Sequence, residues 1–532
     1  MISFSMTACG GDDDNSDKED NDSATPATPQ PFNDITAAQL VAKIKIGWNL
    51  GNTLDTNDLT WLPANPTVAQ METAWSNPVT TKANITALKN AGFNAIRIPV
   101  SWDKAVDSNY NIREDWMKRV TEVVNYAVDN DMYILLNTHH DEHTFKFTNA
   151  EIDKSLAAFK KIWEQIADNF KNYNEKLIFE GLNEPRTIGS DYEWTGGTAE
   201  EHTNLNKYYP IFVDVVRKSG GNNNKRILMI NTYAAWINET AVNGLTLPTN
   251  DTVSNKLVVS IHAYQPFDFA YNQNPKSTWS KTDTSDTNAI HDAIQPAYDK
   301  FVSKGIPVII GEFGSVNKNN IAARTEWAEY YVSYARSKGI PCFYWDNGVS
   351  NPNQYEGAEA FAIFNRNNNT WHFQQIVTAL MNGVNNTDLP TGGGASTITG
   401  NLGNFHTEYG ITNTANIKGW NLTPEQLTGI SNGSLTKLEL NIDLSKIGDG
   451  LGNVYVILNS AGTEEHKTDQ FPWTDWINKT DISNPLVFDL TTHSGFSSFK
   501  SNLADWGQIL LAYYGNDDKT VNDLHLTSAD LK

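Results

Sequence analysis

Cysteine is scarce in this chain of 532 residues, in which only Cys9 and Cys342 occur. Two cysteines imply no disulfide framework, and Cys342, in the apolar run from Ile340 to Trp345, is predicted to be a buried free thiol. No run of about 20 apolar residues is present, so the sequence predicts no membrane-spanning helix. Basic residues are few, with 40 Lys and Arg against 62 Asp and Glu and a net charge of -22. Such an acidic protein repels nucleic acid and anionic membranes, which favours a neutral substrate.

Residues 1–32 differ in composition from the rest. The stretch from Met1 to Cys9 resembles the end of a bacterial lipoprotein signal, in which Cys9 would carry the lipid and the true start would lie upstream. The alternative is an acidic leader in which Cys9 is incidental. Residues 10–32 are acidic and then rich in Thr, Pro and Ala, which predicts a tether. A lipid anchor at Cys9 would place the protein outside the cytoplasm, either extracellular or on the outer cell surface.

A second change of composition lies near residue 390. Residues 385–395 include a glycine-rich stretch, which predicts a linker between a large domain at 33–384 and a smaller one at 396–532. The large segment alternates β-favouring apolar runs with helical periods, as expected for parallel strands buried on both faces. The predicted strands are Lys43–Asn49, Asn94–Val100, Met132–His140, Leu177–Pro185, Arg226–Tyr233, Leu257–Tyr264, Pro307–Gly314 and Ile340–Gly348. Eight strands alternating with helices predict an α/β fold, a closed (β/α)8 (TIM) barrel.

Helical periods occupy the segments between these runs. In two of them, apolar side chains recur along one face of a helix. The first set is Val120, Val123, Val124, Ala127 and Val128, and the second is Leu156, Phe159, Trp163, Ile166 and Phe170. Each set predicts a helix with one buried face.

The C-terminal segment has the pattern of a small all-β sandwich. Short β-type runs, separated by Gly, Asn, Asp and Ser, lie at Leu438–Leu444, Val454–Leu458, Leu486–Leu490 and Gln508–Tyr514. Its aromatic residues would suit a sugar-binding surface, which favours a carbohydrate-binding module; a spacer sandwich with an aromatic core is the alternative. The aromatic residues in question are Trp420, Phe471, Trp473, Trp476, Trp506, Tyr513 and Tyr514.

Many polar and aromatic residues fall at the carboxyl ends of the predicted barrel strands, where barrel chemistry takes place. They are Arg97, His139, His140, Asn183, Glu184, His262, Tyr264, Glu312 and Trp345. Each alone is more often structural, and their convergence on one rim is what indicates a site. Glu184 and Glu312, on strands 4 and 7, face each other across the mouth. Paired carboxyl groups about 5–5.5 Å apart can cleave a glycosidic bond with retention of configuration.

The neighbours of the two glutamates suit such a division of roles. Arg97 and Tyr264 are positioned to keep Glu312 ionised through charge and hydrogen bonding. His262 is positioned to tune Glu184, and Asn183 to hold a sugar 2-hydroxyl group.

These residues also resemble a known family. Ile178-Phe-Glu-Gly-Leu-Asn-Glu-Pro185 is similar to the strand-4 signature of glycoside hydrolase family 5, and Ile309-Ile-Gly-Glu-Phe-Gly314 to its strand-7 nucleophile segment. Four more segments occupy family positions in family order: Arg97-Ile-Pro-Val, Asn137-Thr-His-His, His262-Ala-Tyr264 and Trp345. Two opening segments are similar to the endoglucanase and xyloglucanase branch, subfamily 4: Gly47-Trp-Asn-Leu-Gly-Asn-Thr-Leu-Asp55 and Glu72-Thr-Ala-Trp-Ser-Asn-Pro78.

The resemblance covers about residues 35–383 and implies a retaining glycoside hydrolase without a cofactor. It implies Glu184 as the acid/base and Glu312 as the nucleophile, with Trp345 stacking under the sugar at the cleavage point. One histidine usually follows strand 3 in this family. His139 and His140 are adjacent here, and His139 is the favoured candidate.

The implied activity is that of a monomeric endo-β-1,4-glucanase, or cellulase, acting on plant cell-wall β-glucan of the cellulose or mixed-linkage type. Xyloglucan is the alternative substrate, and mannan is a more distant one. Loop tryptophans near the mouth are candidates for the floor of a long cleft or for core packing: Trp61, Trp75, Trp194, Trp236 and Trp279.

Two other functions compete with this interpretation. His139-His-Asp-Glu-His143 fits the H-x-x-E-H pattern of some zinc proteases, but that pattern needs a helix, and a strand precedes it here. No metal site is therefore predicted. A non-catalytic sugar-binding barrel would arise from the loss of either glutamate, and both are present.

Overall fold

The structure, a computed structural model, describes the chain in two compact units, Met1–Gly394 and Ala395–Lys532. In the first unit it describes residues 25–272, 276–354 and 357–386. In the second it describes residues 400–401, 417–422, 426–427, 430, 435–442, 453–460, 485–492, 496–501, 507–514 and 526–531. The predicted lipid-anchor residue Cys9 and most of the predicted linker, 387–395, lie outside these ranges.

Eight parallel strands close into a barrel in sequence order, as predicted. They are β1 (Gly47–Leu50), β2 (Ala95–Ile98), β3 (Tyr133–Asn137), β4 (Leu177–Glu180), β5 (Leu228–Asn231), β6 (Leu257–His262), β7 (Val308–Phe313) and β8 (Cys342–Asp346). Seven of the predicted apolar runs contain a whole strand, and β1 extends one residue past its run, to Leu50. Those seven strands are shorter than their runs because the last residues of each run already belong to a loop at the barrel mouth. Cys342 is a buried free thiol, as predicted.

Helices of the first unit surround the barrel. They are α1 (Ala37–Val41), α2 (Val68–Glu72), α3 (Lys82–Asn90), α4 (Glu114–Asp129), α5 (Ile152–Phe170), α6 (Ala199–Lys218), α7 (Glu239–Gly244), α8 (Phe267–Ala270), α9 (Thr284–Lys300), α10 (Ile321–Ser337) and α11 (Gln374–Asn385). The two predicted apolar faces belong to α4 and α5 and are largely buried. Two short strands pair after the barrel, β9 (Phe364–Asn365) and β10 (Thr370–Trp371).

Helix α1 closes the end of the barrel that lies away from the predicted site. Its side chains Leu40 and Val41 share an apolar cluster with the strand residues Leu135, Ile178 and Phe343. This cluster seals the lower end, so the polar residues at the other end stand on a closed apolar base.

The second unit contains seven described strands in two antiparallel sheets. The first sheet has four strands, β11 (Gly400–Asn401), β13 (Lys437–Ile442), β15 (Leu486–Asp489) and β17 (Leu526–Leu531). The second has three, β12 (Ile417–Asn421), β14 (Asn453–Ser460) and β16 (Gly507–Tyr514). Leu438 and Leu440 of the first sheet share one core with Leu458 and Leu511 of the second, as the predicted β-sandwich requires.

One short helix, α12 (Phe496–Ser501), interrupts the predicted all-β pattern. The aromatic side chains predicted to form a sugar-binding surface are not among those that the structure describes. Phe471, Trp473, Trp476 and Trp506 lie outside the described residues, as do the side chains of Trp420, Tyr513 and Tyr514. Within the described ranges, none of the helices has both the length and the apolar character needed to cross a membrane.

Trp163 ties α5 to the barrel wall, which makes it a test of the core. It is fully buried, its ring contacts Phe179 and Phe212, and its Nε1 donates to the carbonyl of Gly181 at 3.1 Å. We expect Trp163→Ala to lower the free energy of unfolding by about 3–5 kcal/mol, because it leaves a large cavity. Trp163→Phe, the control, should lose about 1 kcal/mol, since it mainly removes the hydrogen bond. Urea unfolding followed by circular dichroism measures both, and equal losses would contradict the packing argument.

Candidate active site

The residues predicted to form the site all lie at the carboxyl ends of the barrel strands. Arg97 is in β2, Glu312 in β7 and Trp345 in β8. The remaining predicted residues end β6 or follow β3, β4 and β6: His139, His140, Asn183, Glu184, His262 and Tyr264. Hydrogen bonds and ion pairs join six of them: Arg97, Asn183, Glu184, His262, Tyr264 and Glu312. His139 contacts the rings of His140 and Trp345, and Glu142 and Arg186 connect His140 to Glu184.

Glu184 and Glu312 face each other with His262 between them. One carboxylate oxygen of each glutamate and one nitrogen of His262 lie within 4.8 Å of one another. Nδ1 of His262 is 2.8 Å from Oε1 of Glu184 and 3.6 Å from Oε2 of Glu312. Carboxyl groups about 5–5.5 Å apart suit double displacement, whereas inverting enzymes hold theirs about 6.5–9.5 Å apart.

A β-bulge at Gly311 aims Glu312 into the mouth. The pairing of β6 with β7 shifts here, so that Ile261 pairs with Ile310 and His262 with Glu312. A Cβ atom at Gly311 would lie 2.9 Å from Oγ of Ser260 and 3.1 Å from Nε2 of His262. Glycine is therefore needed for the histidine ring to pass over the strand and reach Glu184.

Arg97 is the buried cation at the centre of the site. Its Nη1 donates to Oε1 of Glu312 at 2.6 Å and to Oδ1 of Asn49 at 3.1 Å. Its Nη2 donates to Oδ1 of Asn183 at 2.7 Å. Although burial opposes the charge, Glu180 and Glu312 raise the pKa of Arg97, so it is a permanent cation. One guanidinium group thus fixes the orientation of a glutamate and two asparagines.

Glu180 is the second acidic partner of Arg97, and the sequence analysis missed it. Its Oε2 accepts from Nε of Arg97 at 2.6 Å, and its Oε1 accepts from Asn231 at 2.8 Å and Ser260 at 3.1 Å. The side chain is fully buried. A glutamate inside an otherwise apolar buried strand needs a buried partner, and this was the available signal.

Tyr264 supplies the other fixed contact to Glu312. Its hydroxyl donates to Oε2 at 2.8 Å. Burial, together with the negative charges of Glu312 and Glu184, raises the pKa of Tyr264 well above its usual value. The hydroxyl therefore stays protonated and donates throughout the ordinary pH range. Together with Arg97, it gives each oxygen of Glu312 its own donor.

Glu184 has a different environment, rich in titratable groups. Burial would raise its pKa, but the hydrogen bond from His262 and the charges of His262, Arg186 and His140 outweigh burial and lower the pKa to about 2. Nη1 of Arg186 lies 3.6 Å from Oε2 of Glu184. Glu142 contacts two of these neighbours of Glu184. Its Oε1 lies 3.2 Å from Nδ1 of His140 and 3.3 Å from Nη1 of Arg186. Arg186 and Glu142 are further contributors that were not singled out as site residues from the sequence.

The two adjacent histidines face different partners. The ring of His139 stacks parallel to that of Trp345, with centroids 5.9 Å apart and planes 3° apart, whereas His140 meets Trp75 edge-on. Oδ1 of Asn137 accepts from the backbone of Val100, which leaves its Nδ2 to donate to Nδ1 of His139 at 3.1 Å. Burial, with nearby positive charge, lowers the pKa of His139. His139 is therefore neutral and carries its proton on Nε2, free to donate.

The H-x-x-E-H pattern does not form a zinc site of the protease type. Its residues follow β3 in a loop and not on a helix, so the two histidines do not share a helix face. His143 is exposed and pairs with Asp58, while Glu142 binds His140 and Arg186. His139 also presents Nε2–H, a donor, toward Asp55 and His140, the other groups within ligand distance. A nitrogen that carries a proton cannot ligate a metal.

The five loop tryptophans differ in exposure. Trp61 and Trp194 are 60% and 46% exposed, and Trp75 and Trp236 are half-buried. Trp279 is 4% exposed and packs against Tyr330 of α10. Trp279 is therefore a core residue and is removed from the candidates for a cleft floor.

The Arg97 network allows a direct test of the buried charges. We expect Arg97→Met to lower the free energy of unfolding by about 3–5 kcal/mol, because two buried carboxylates lose their cation. Adding Glu180→Gln to Arg97→Met should recover part of the lost free energy of unfolding, because one of the two buried, unpaired carboxylates is then replaced by a neutral amide. Urea unfolding of the single and double variants measures the difference. A double variant less stable than Arg97→Met would contradict the assignment of Glu180 as the structural partner.

Comparisons with known proteins agree with this geometry. The family model "Cellulase (glycosyl hydrolase family 5)" matches residues 60–351. Endoglucanase A of Clostridium longisporum is 43% identical over 366 residues, which span 68% of this chain and 69% of that protein. A GH5-4 broad specificity endoglucanase from Ruminococcus champanellensis with bound cellotriose is 48% identical with a TM-score of 0.63, covering 66% of this chain and 100% of that one. A family 5 lichenase from Caldicellulosiruptor sp. F32 is 39% identical with a TM-score of 0.62, covering 68% and 98%.

The match runs through the barrel and spans the segments that carry Arg97, Glu184 and Glu312. The relatives share sequence identity as well as architecture, so the likeness extends beyond a common barrel fold. With its eight-stranded barrel and its facing pair of glutamates, the chain belongs to glycosyl hydrolase family 5.

Proposed function

We propose that this chain is a retaining endo-β-1,4-glucanase in which Glu312 is the nucleophile and Glu184 the acid/base. The observation that carries the proposal is the close pair of carboxylates in unlike environments. Glu312 has fixed donors, Arg97 and Tyr264, whereas Glu184 has a titratable one, His262. A group that must stay charged suits fixed donors, and a group that must exchange a proton suits a titratable donor.

In the first step Glu312 attacks the anomeric carbon and the glycosidic bond breaks. Arg97 and Tyr264 orient the two oxygens of Glu312, so the attacking carboxylate is held in one position. The proton for the leaving oxygen comes from Glu184. Oε1 of Glu184 lies 2.8 Å from Nδ1 of His262, which holds the carboxyl group in position for this transfer.

In the second step water releases the sugar from Glu312. Once Glu312 has become an ester, its negative charge is gone and the loss favours the ionised form of Glu184. Glu184 then takes the proton of the attacking water, and attack on the same face gives retention. The same group is thus an acid while Glu312 is charged and a base while it is esterified.

The remaining polar groups are placed to bind the sugar at the cleavage point. Nε2–H of His139 is a donor, and Oδ1 of Asn183 is engaged by Arg97, which leaves the amide N–H₂ of Asn183 for a sugar hydroxyl. Trp345 is 9% exposed at the barrel mouth, and its ring stacks with that of His139. These contacts suit a glucosyl unit in a chain of the cellulose or mixed-linkage type.

Xyloglucan stays the alternative substrate because of a cavity beside the mouth. This cavity of about 400 Å³ is lined by Asn52, Trp75, Ser76, Val349 and Gln354. Trp75 also contacts His140, so the cavity adjoins the site. Such a space can hold a branch sugar as well as a backbone unit.

The C-terminal unit belongs to the same proposal as a carbohydrate-binding module, with a spacer as the alternative. A module joined to the barrel raises the local concentration of an insoluble substrate. We expect full-length Glu184→Gln protein to be retained on insoluble cellulose and the same chain ending at Gly394 to be retained much less. Pull-down with washed cellulose measures this, with soluble protein lacking sugar-binding activity as the control. Equal retention would favour the spacer.

The acidic leader with Cys9 supports a location outside the cytoplasm.

The two glutamates give the central test. We expect Glu184→Gln to lower kcat on cellohexaose about 10²–10⁴-fold, because general acid catalysis is lost. The loss should be much smaller on β-cellobiosyl fluoride, whose leaving group needs little protonation. Azide should restore turnover to Glu184→Ala and give a β-glycosyl azide. Glu312→Ala should be inactive on both substrates, and azide, taking the place of the missing nucleophile, should convert β-cellobiosyl fluoride into an α-glycosyl azide by a single inverting displacement.

Hydrolysis of carboxymethylcellulose, barley β-glucan, xyloglucan and mannan by the wild type ranks the substrates. Glu193→Gln is a matched control, since this carboxylate lies on the Glu184 loop and contacts Arg186 but neither glutamate of the pair. Wild-type rates in Glu184→Gln or Glu312→Ala would contradict the assignment. A wild type that cuts none of the four polysaccharides would contradict the substrate class.

A further inference from the structure

Two aspartates beside the site, Asp103 and Asp141, have no role in the proposed reaction. Asp103 lies in the loop after β2, and Asp141 lies in the loop after β3 that also carries the two adjacent histidines, the histidine loop (residues 138–145). Asp141 is 1% exposed. Its Oδ1 accepts from the backbone N–H groups of Trp102 at 2.7 Å and of Asp103 at 2.8 Å. One carboxyl group thus binds the two loops together.

The other oxygens of these carboxyl groups lack a donor. Oδ2 of Asp103 and Oδ2 of Asp141 are both buried, and within the described part of the chain no group donates to either oxygen. The two side chains nevertheless lie within hydrogen-bond contact of each other. Two ionised carboxylates in contact repel and have no hydrogen to donate, whereas a protonated carboxyl group donates to its ionised neighbour. A single proton shared between the two side chains therefore supplies the missing donor.

The surroundings of the pair favour retention of this proton. Burial and the negative charge of Glu142 raise the pKa of Asp103 to about 6, although the positive charges of His143 and Lys104 oppose the rise. Burial and the negative charges of Asp103 and Glu142 raise the pKa of Asp141 well above its usual value. The pair therefore keeps at least one proton up to a pH of about 6.

Lys104 is a buried cation near the pair, but its hydrogen bonds are directed elsewhere. Its Nζ donates to the backbone carbonyls of Leu54 at 2.9 Å and Thr56 at 2.7 Å, and to Oγ1 of Thr56 at 2.7 Å. These three bonds use all the hydrogens of the ammonium group. Burial also lowers the pKa of Lys104 to about 7, so its charge weakens as the pH rises. Lys104 therefore cannot replace the shared proton.

We propose that Asp103 and Asp141 share one proton and that this proton holds the histidine loop against the loop after β2. The backbone N–H of His139 donates to the carbonyl of Val100 at 2.8 Å, so the two loops also meet directly at the site. Loss of the shared proton places two negative charges in contact between the loops and displaces the histidines from their partners. Both aspartates are thus positioning residues. The effect on activity rests on the proposed function, whereas the effect on stability does not.

The shared proton makes stability depend on pH. The native pair retains a proton that the unfolded chain releases near pH 4, so the free energy of unfolding falls as the pH rises from about 4 until the last proton leaves. In Asp103→Asn the amide donates to Asp141 at every pH. We expect the unfolding constant of the wild type, relative to that of Asp103→Asn, to rise about tenfold per pH unit in this range. Urea unfolding between about pH 4.5 and 8 measures this ratio.

Three further variants isolate the proton. Asp103→Ala removes the same charge without offering a donor, so it should be less stable than Asp103→Asn at each pH. Asp141→Asn is the reciprocal change and should give the same pH dependence as Asp103→Asn. Asp107→Asn is the matched control, because it makes the same substitution in the same loop at an exposed carboxylate. It should keep the pH dependence of the wild type.

The pH profile of kcat/KM on cellohexaose reports the position of the histidine loop. At about pH 5 the wild type and Asp103→Asn should agree within about twofold, because the loops are joined in both. The alkaline limb of Asp103→Asn should lie about one pH unit higher than that of the wild type, since its donor is never lost. Asp107→Asn should leave this limb in place.

Each outcome decides for or against the shared proton. A stability ratio that changes with pH, together with the shifted alkaline limb, supports the proposal. Parallel stability curves for the wild type and Asp103→Asn, or an Asp103→Ala variant as stable as Asp103→Asn, would overturn it. A changing ratio without a shifted limb would overturn the positioning of the histidine loop. A wild type inactive on cellohexaose would refute the proposed function, while the stability comparison would still decide whether the proton is shared.

Discussion

A single buried guanidinium group sets the geometry of this site. Arg97 is enclosed on all sides, and a charge in such a place is stable only when it is paired and its donors are used. Its contacts with Glu180, Glu312, Asn49 and Asn183 meet that need. Because Glu180 is held in turn by Asn231 and Ser260, the cation cannot follow Glu312 if Glu312 moves. Glu312, the proposed nucleophile, is therefore held in position by residues of the barrel interior.

In the proposed mechanism, Glu180 also keeps Arg97 paired when Glu312 forms a covalent bond. Arg97 carries one positive charge and contacts two carboxylates. When Glu312 becomes an ester it loses its charge, and without a second partner the guanidinium would be left buried and unpaired, which costs several kcal/mol. Glu180 has no role in bond breaking in the proposed mechanism, and its contact with Nε of Arg97 gives the guanidinium a partner before and after the attack. The Arg97–Glu180 ion pair would thus persist through the proposed reaction, whereas the Arg97–Glu312 ion pair would exist only while Glu312 is charged.

Much of this arrangement could be predicted from the sequence, for identifiable reasons. Parallel strands buried on both faces are short apolar runs, and polar residues at their ends stand out, as Arg97 and Glu312 do. Glu180 was not predicted although it lies in the same strand-4 segment as Glu184, because its charge lies within the strand and not in the loop that follows it. The sequence did not predict which of the loop tryptophans are exposed and which belong to the core. Trp194 and Trp279 lie in similar polar stretches, and only packing against Arg186 or against Tyr330 of α10 separates an exposed ring from a core one.

The two glutamates differ in their hydrogen-bond partners: Arg97 and Tyr264 contact Glu312, whereas His262 contacts Glu184. Neither position along the chain nor residue type separates them, since both are glutamates at strand ends. Arg97 and Tyr264 keep their protons across the ordinary pH range, so the donors of Glu312 do not change during a reaction cycle. Nδ1 of His262 contacts Glu184 at 2.8 Å, and the ring lies between both carboxylates, with the same nitrogen 3.6 Å from Glu312. If Glu312 loses its charge on bond formation, the proton balance at Glu184 must respond. The proposed roles of nucleophile and acid/base therefore rest on the environments of the two glutamates and not on the side chains themselves.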